Sequence, residues 1–174
     1  MYLRRLDGSL PVRLARAVKP TGLSTDGAWA IGRTDSSLLM IPTGAGESRA
    51  LPSGSLAMVA GCGFFPDGKR ILITGNEPGR PLRLFVQDLD GGLPRPISPE
   101  GVFAASYYCS VSPDGTQVAA NADGVPVLIP AEGGEPRRIE GLNAGENVIA
   151  WTRDGRSLFV VETRSATTVR VVLF

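Results

Sequence analysis

An Asp-Gly pair recurs in matching company along this 174-residue chain: Ser24-Thr25-Asp26-Gly27, Phe65-Pro66-Asp67-Gly68, Ser112-Pro113-Asp114-Gly115 and Thr152-Arg153-Asp154-Gly155. The aspartates stand 41, 47 and 40 residues apart. A unit of about 40–45 residues holds four short strands, and a unit of that kind can bury its apolar faces only against its neighbours in an array. Three residues before each Asp stand Leu23, Phe64, Val111 and Trp151; four after it stand Ala30, Ile71, Val118 and Leu158. Both columns are apolar, so both are expected to point into the packing. Asp can accept a hydrogen bond from backbone two residues on, and Gly supplies the positive φ that a tight hairpin requires. Asp26, Gly27, Asp67, Gly68, Asp114, Gly115, Asp154 and Gly155 are therefore read as structural turn residues rather than as a ring of metal-binding or acid/base carboxylates.

Downstream of each turn an apolar run, at 38–41, 82–86, 125–129 and 169–173, reads as a third strand. Each of the first three is followed by a Gly-rich turn and an Arg-bearing segment ending in Leu51, Ile97 or Ile139, as suits the outer edge of a sheet. At the N-terminus, residues 2–14 repeat the pattern of 84–97, so the chain opens on a third and a fourth strand. The expected fold is all-β, a β-propeller of about four antiparallel four-stranded blades. Its divisions are a partial blade at 1–14, blades at 15–55, 56–100 and 101–141, and a partial blade at 142–174. Seventeen strands are expected, one more than four blades of four, which fits either a small closed ring or an arc of a larger propeller.

Composition narrows the chemistry. There is no histidine, which excludes Ser-His-Asp and Cys-His triads and His-ligated metals within this chain. The net charge of +1 disfavours nucleic acid and polybasic membrane binding. The start of the chain reaches Asp7-Gly8 before any apolar leader could develop, and the longest soft apolar stretch, 56–65, is short of the ~20 residues a span needs. No signal peptide or transmembrane segment is expected, and the compartment stays open. Asp88 and Asp90 lack the ligand spacing of a calcium loop, and Gly61 and Gly63 lack the Lys-Ser/Thr of a phosphate loop. No metal or cofactor is expected. Trp151 is placed in the core by its column, while Tyr107 and Tyr108, just before an inner strand, are the candidate binding face. Cys62 and Cys109 each stand five residues before an Asp, in a column with Thr21 and Ile149. They read as buried, reduced fillers, because facing sheets stand ~10 Å apart and a disulfide needs Cα atoms within about 7 Å.

The repeated Ser-Pro-Asp-Gly type of turn followed by an apolar strand resembles the TolB-type, WD-repeat-like bacterial propellers, over essentially the whole chain. The stretches 2–9, 39–47 and 84–92 also look like the C-terminal propeller that follows the kinase domain in some bacterial serine/threonine protein kinases. That resemblance implies a non-catalytic binding or sensor module, part of a larger signalling protein. Its partner would be a protein or peptide, or the remaining blades of a larger propeller. The kinase motifs themselves are absent, since there is no G-x-G-x-x-G, no Asp-Phe-Gly and no histidine for a catalytic loop. An alternative is the gating propeller of a prolyl-oligopeptidase-like peptidase, whose G-x-S-x-G is also absent here. Unmatched half-blades at the two ends imply self-association through open edges.

Overall fold

The computed structural model describes residues 1–34, 37–104, 110–162 and 165–173. Among them all regular structure is strand. A hairpin of β1 (Tyr2–Leu3) and β2 (Val12–Arg13) comes first. Four antiparallel sheets follow side by side as the blades of a β-propeller. The first is β3 (Lys19–Leu23), β4 (Trp29–Arg33), β5 (Leu38–Pro42) and β6 (Arg49–Leu51); the second is β7 (Met58–Phe64), β8 (Arg70–Asn76), β9 (Arg83–Asp88) and β10 (Arg95–Pro96). The third holds β11 (Val102–Phe103), β12 (Ser110–Val111), β13 (Gln117–Ala122), β14 (Val125–Pro130) and β15 (Arg137–Arg138), with β11 and β12 both paired to β13. The last holds β16 (Glu146–Trp151), β17 (Ser157–Glu162) and β18 (Ser165–Leu173).

The alternation of strand side chains places the core between blades rather than within them. Ile31, Leu72 and Ala119, five residues after their aspartates, point forward to the next blade, at 0%, 0% and 2% exposure. Ile71, Val118 and Leu158, four after theirs, point back to the preceding blade and are fully buried. The three apolar clusters follow from this. One joins Ile31, Met40 and Leu51 to Ile71, Ile73 and Phe85; the next joins Leu72, Val86 and Ile97 to Val118 and Ile129; the last joins Ala119 and Ile139 to Leu158 and Val160.

The structure departs from the sequence-based expectation in three places. Among the described residues there are eighteen strands rather than seventeen, because two short pieces, β11 and β12, pair with β13 where the other blades have one inner strand. Phe103 pairs with Asn121 and Ser110 with Ala119. The other inner strands carry a one-residue bulge, as where Pro20 and Gly22 face Gly32 and Ile31. The longer sequence interval between the paired Phe103 and Ser110 accounts for most of the wider 47-residue spacing before Asp114. Leu23, expected inside, is 52% exposed, whereas Phe64, Val111 and Trp151 lie half-buried against the clusters shared with the blade before. The hairpin that precedes the first blade has no inner strands to cover Leu23.

Third, equivalent positions on adjacent inner strands touch. Thr21 Oγ1 lies 2.9 Å from Cys62 Sγ, and a Cβ on Gly22 would stand 3.2 Å from Gly63 Cα. Blades converge at their inner strands and splay outward, so the ~10 Å spacing of parallel-faced sheets does not apply there. Cys62 is nevertheless a free, buried thiol. Cys109, with Tyr107 and Tyr108, lies outside the described residues.

Candidate binding grooves on the turn face

Each Asp-Gly pair closes the hairpin between the first two strands of its blade, and the four hairpins share one hydrogen-bond plan. The Gly N–H donates to the carbonyl three residues back: Gly27 to Ser24 at 2.9 Å, Gly68 to Phe65 at 3.0 Å, Gly115 to Ser112 at 2.8 Å and Gly155 to Thr152 at 2.9 Å. These glycines have φ of 69°, 67°, 74° and 72°, where a Cβ is disfavoured. The Asp Oδ1 accepts from the backbone two residues on, from Ala28, Lys69, Thr116 and Arg156 at 3.0, 2.8, 3.0 and 3.1 Å. In three of the turns a hydroxyl adds to this: Ser24, Ser112 and Thr152 donate to the Asp and accept an N–H from the far side of the turn.

These bonds set the acidity of the aspartates. Hydrogen bonds from Ser24 and then Ala28 hold Asp26 below the ordinary carboxyl range; Ser112 and Thr116 do so for Asp114, and Thr152 and Arg156 for Asp154. At Asp67 partial burial raises the value, and the N–H of Lys69 together with Arg70 outweighs it, so this carboxyl too is lowered. Groups fixed as anions by backbone donors suit a turn, whereas a proton-transfer catalyst needs a value near the working pH. Among the described residues no cluster of three or more His, Cys, Asp or Glu could hold a metal ion.

Between neighbouring turns the blades leave grooves, and side chains three residues after the Asp decide what fills them. This column reads Trp29, Arg70, Gln117 and Ser157. Between the first two blades an open groove of about 340 Å³ is lined by Ser24, Asp26, Trp29, Pro66 and Asp67. Between the second and third blades Arg70 occupies the equivalent place. Its guanidinium carbon stands 4.4 Å above the centre of the Phe65 ring. Its Nε donates to Asp67 Oδ2 at 2.8 Å and its terminal nitrogen to Glu132 Oε1 at 2.6 Å, while Arg95 reaches Glu132 Oε2 at 2.6 Å. Phe65 stands where the other turns have a hydroxyl, so Arg70 supplies the second partner of Asp67 there.

Between the third and last blades the groove is open again and larger, about 850 Å³. Leu128, Ile139 and half-buried Trp151 form its apolar part, and Arg137, Arg138 and Glu140 its charged rim. On the opposite side of the first two blades a crevice of about 40 Å³ beside Gln87 has room for little more than a water molecule. None of the groove arginines stood out in the sequence as a site residue. A signal was present, since Arg49, Arg95 and Arg137 each lie two residues before Leu51, Ile97 or Ile139. The first two reach forward to the next blade, Arg49 to the Leu89 carbonyl at 2.6 Å and Arg95 to Glu132. Arg137 lies exposed on the rim of the large groove.

No protein-family model matches the sequence, and no curated protein matches it. Solved structures do. A TolB protein of Agrobacterium tumefaciens superposes with a TM-score of 0.69 at 17% identity, covering 88% of this chain and 56% of that one. A chain of the nidogen/laminin complex matches with a TM-score of 0.69 at 15% identity, over 97% of this chain and 65% of that one. Hydrazine synthase of Kuenenia stuttgartiensis matches with a TM-score of 0.62 at 13% identity, over 88% and 57%. The chain thus spans less than two thirds of each of these proteins. At such identities the likeness is one of fold, and the fold is a β-propeller, as in the TolB protein.

Proposed function

We propose that this chain is a non-catalytic propeller module that binds a protein or peptide on its turn face, with the groove between the third and last blades as the site. The observation that carries this reading is the contrast between equivalent grooves. The middle one is filled by the chain's own Arg70, while the larger one keeps an aromatic and two aliphatic side chains inside a rim of Arg137, Arg138 and Glu140. An apolar centre with a polar, Arg-bearing rim is the usual anatomy of a peptide or protein contact. The occurrence of the fold in a nidogen/laminin complex fits a role in protein binding.

A random-peptide display library panned on the purified chain tests this. Peptides selected on the parent chain are re-measured by fluorescence anisotropy on Arg137→Glu and Arg138→Glu, both exposed substitutions. Loss of binding in these variants supports the groove, and undiminished binding places the site elsewhere. The non-catalytic part is tested separately, with no turnover of peptides, esters or ATP expected from the purified chain. The finer reading, a sensor region of a bacterial serine/threonine kinase, rests on the resemblance of the stretches 2–9, 39–47 and 84–92. A kinase in the flanking reading frame supports it, and a hydrolase there replaces it.

A further inference from the structure

Asp-Gly stands at seven places in this chain: in the four repeat turns and at Asp7-Gly8, Asp90-Gly91 and Asp123-Gly124. The pair is reactive, because glycine leaves its own backbone nitrogen unhindered as it turns toward the carboxyl group before it. By sequence the seven are equal; the fold separates them. In each repeat turn both reacting groups are engaged, the Gly N–H by the carbonyl three residues back and the Asp Oδ1 by the N–H two residues on. Those four carboxyls also lie below the ordinary range, and an ionised carboxylate does not readily expel water. Asp7 has the second restraint, since its Oδ1 accepts the Ser9 N–H at 2.9 Å. Asp123 and Gly124 are the two residues between Ala122 and Val125, which pair directly, so the ladder of β13 and β14 fixes their backbone. At Asp90 and Gly91 none of these restraints is present. Both residues are exposed, and among the described residues neither the Asp90 carboxyl nor the Gly91 N–H has a hydrogen-bond partner. The nearest paired positions are Val86 and Arg95, a second glycine follows at Gly92, and no atom beyond its chain neighbours lies within 4 Å of where a Cβ on Gly91 would stand.

We infer that Asp90 is a site of spontaneous covalent modification, the aspartate of the folded chain that converts first to isoaspartate. The Gly91 nitrogen attacks Cγ of the protonated Asp90 carboxyl. A C–N bond forms, the nitrogen's proton and the carboxyl's hydroxyl leave together as water, and a five-membered succinimide results. Water then opens the ring at one of its two carbonyls. Addition at Cγ breaks the new bond and restores aspartate. Addition at the former main-chain carbonyl breaks the original peptide bond, so the chain runs on through Cγ and the old carbonyl becomes a free carboxylate. One water is lost and one regained, and no oxidant or cofactor takes part. The product has one extra main-chain carbon between two anchored residues. Leu89 donates its N–H to the Lys69 carbonyl at 2.8 Å, which sets the loop beside the Asp67 turn, and its own carbonyl accepts from Arg49 of the first blade at 2.6 Å. Gly92 is held through its carbonyl by Gln87 Nε2 at 2.8 Å. The modification therefore falls on the turn face, where the first two blades meet.

This inference is independent of the groove reading, and its test does not touch the groove. The full chain is held folded in mildly acidic buffer made with heavy-oxygen water, where each passage through the succinimide leaves one heavy oxygen on the residue concerned. Digestion and tandem mass spectrometry then locate the label. Asp90 should take it up first, and faster than the repeat-turn aspartates by about tenfold or more, the factor expected where two ordinary hydrogen bonds must open beforehand. The same chain unfolded in urea should label all seven pairs at similar rates, which separates the effect of the fold from that of the sequence. Asp90→Glu, an exposed substitution whose longer side chain cannot close the five-membered ring, should lose the label at that position and keep the parent's circular dichroism. Earlier labelling at any other pair of the folded chain, or equal labelling at all seven, overturns the inference. So does an Asp90→Glu chain that takes up label there at the parent's rate, or an Asp90 that stays unlabelled while the unfolded chain reacts.

Discussion

Replacing Arg70 by methionine keeps an apolar stem over Phe65 and removes every charged contact that Arg70 makes in the middle groove. Three interactions go at once. The pair with Glu132 is worth about 0.5 kcal/mol, because the Glu132 side chain is 72% exposed and an exposed pair gains little. The pair with Asp67, at 34% exposure, contributes about 0.5–1 kcal/mol; Asp67 keeps the backbone N–H groups of Lys69 and Arg70 when the guanidinium is gone. Stacking of the cation on Phe65 adds roughly 0.5–1 kcal/mol. The expected cost is therefore about 1.5–2.5 kcal/mol in urea unfolding. A double-mutant cycle with Glu132→Gln should show a coupling of roughly 0.5 kcal/mol between blades. That coupling should shrink in about 1 M salt, where the screening length is ~3 Å. A coupling indistinguishable from zero at low salt, with Arg70→Met costing less than about 0.5 kcal/mol, would refute the clasp.

Other outcomes follow from the turns and the buried thiol. Gly68→Ala should destabilise by about 1 kcal/mol or more in urea, because φ at this position is 67° and no neighbour lies within 4 Å of the added Cβ, which leaves backbone strain as the cause. Gly68→Asn should recover part of that loss, since Asn tolerates the left-handed region better. The turn aspartates have folded values below 3.8, so the stability they contribute is present above that value and is lost as the pH falls through the depressed folded values. The urea midpoint should accordingly fall on acidification below about pH 4, and a flat profile there would show that the turns do not hold their carboxylates. Burial pushes the Cys62 thiol from 9.0 up to about 11. In the unfolded chain it ionises first, so stability is unaffected below pH 9 and declines between 9 and about 11, by at most about 2–3 kcal/mol. Thiol titration should count Cys62 only after denaturation; a rapid reaction in the native state would contradict its burial.

The blade period was legible because each unit must solve the same local problem, a hairpin closed by Asp and Gly, and the solution leaves the same residues at the same interval. The rear-facing column Ala30, Ile71, Val118 and Leu158 was equally legible, since each is buried at 4% or less. Leu23 could not be read from its column, because its burial depends on what stands in front of the first blade rather than on its own repeat. The contact of Thr21 with Cys62 was hidden for a related reason: sequence register identifies equivalent positions, while the distance between them depends on how the blades converge. In the third blade the wide separation of the paired Phe103 and Ser110 showed only as a longer interval between aspartates, with nothing to say where in the blade it would fall.

The groove was the least legible feature, and the cause lies in the repeat itself. Repetition fixes the positions that every blade needs, so attention goes to the constant Asp-Gly and the apolar columns. The proposed groove lies where the repeat varies. Three residues after the Asp stand Trp29, Arg70 and Gln117 in the first three blades, different in chemistry, yet each stands beside the groove to the next blade. Arg70 closes its groove by bridging to Glu132, 62 residues away in sequence. Gln117 leaves Trp151 and the rim arginines around an open one. A single side chain in a variable column can therefore make or remove a binding groove without disturbing the turn next to it. Arg70→Ala should on that basis open the middle groove while leaving the Gly68 hairpin and the Asp67 backbone bonds in place. A structure of this variant in which Arg95 or Glu132 moves to fill the space would show that the groove is held shut by the blades rather than by Arg70.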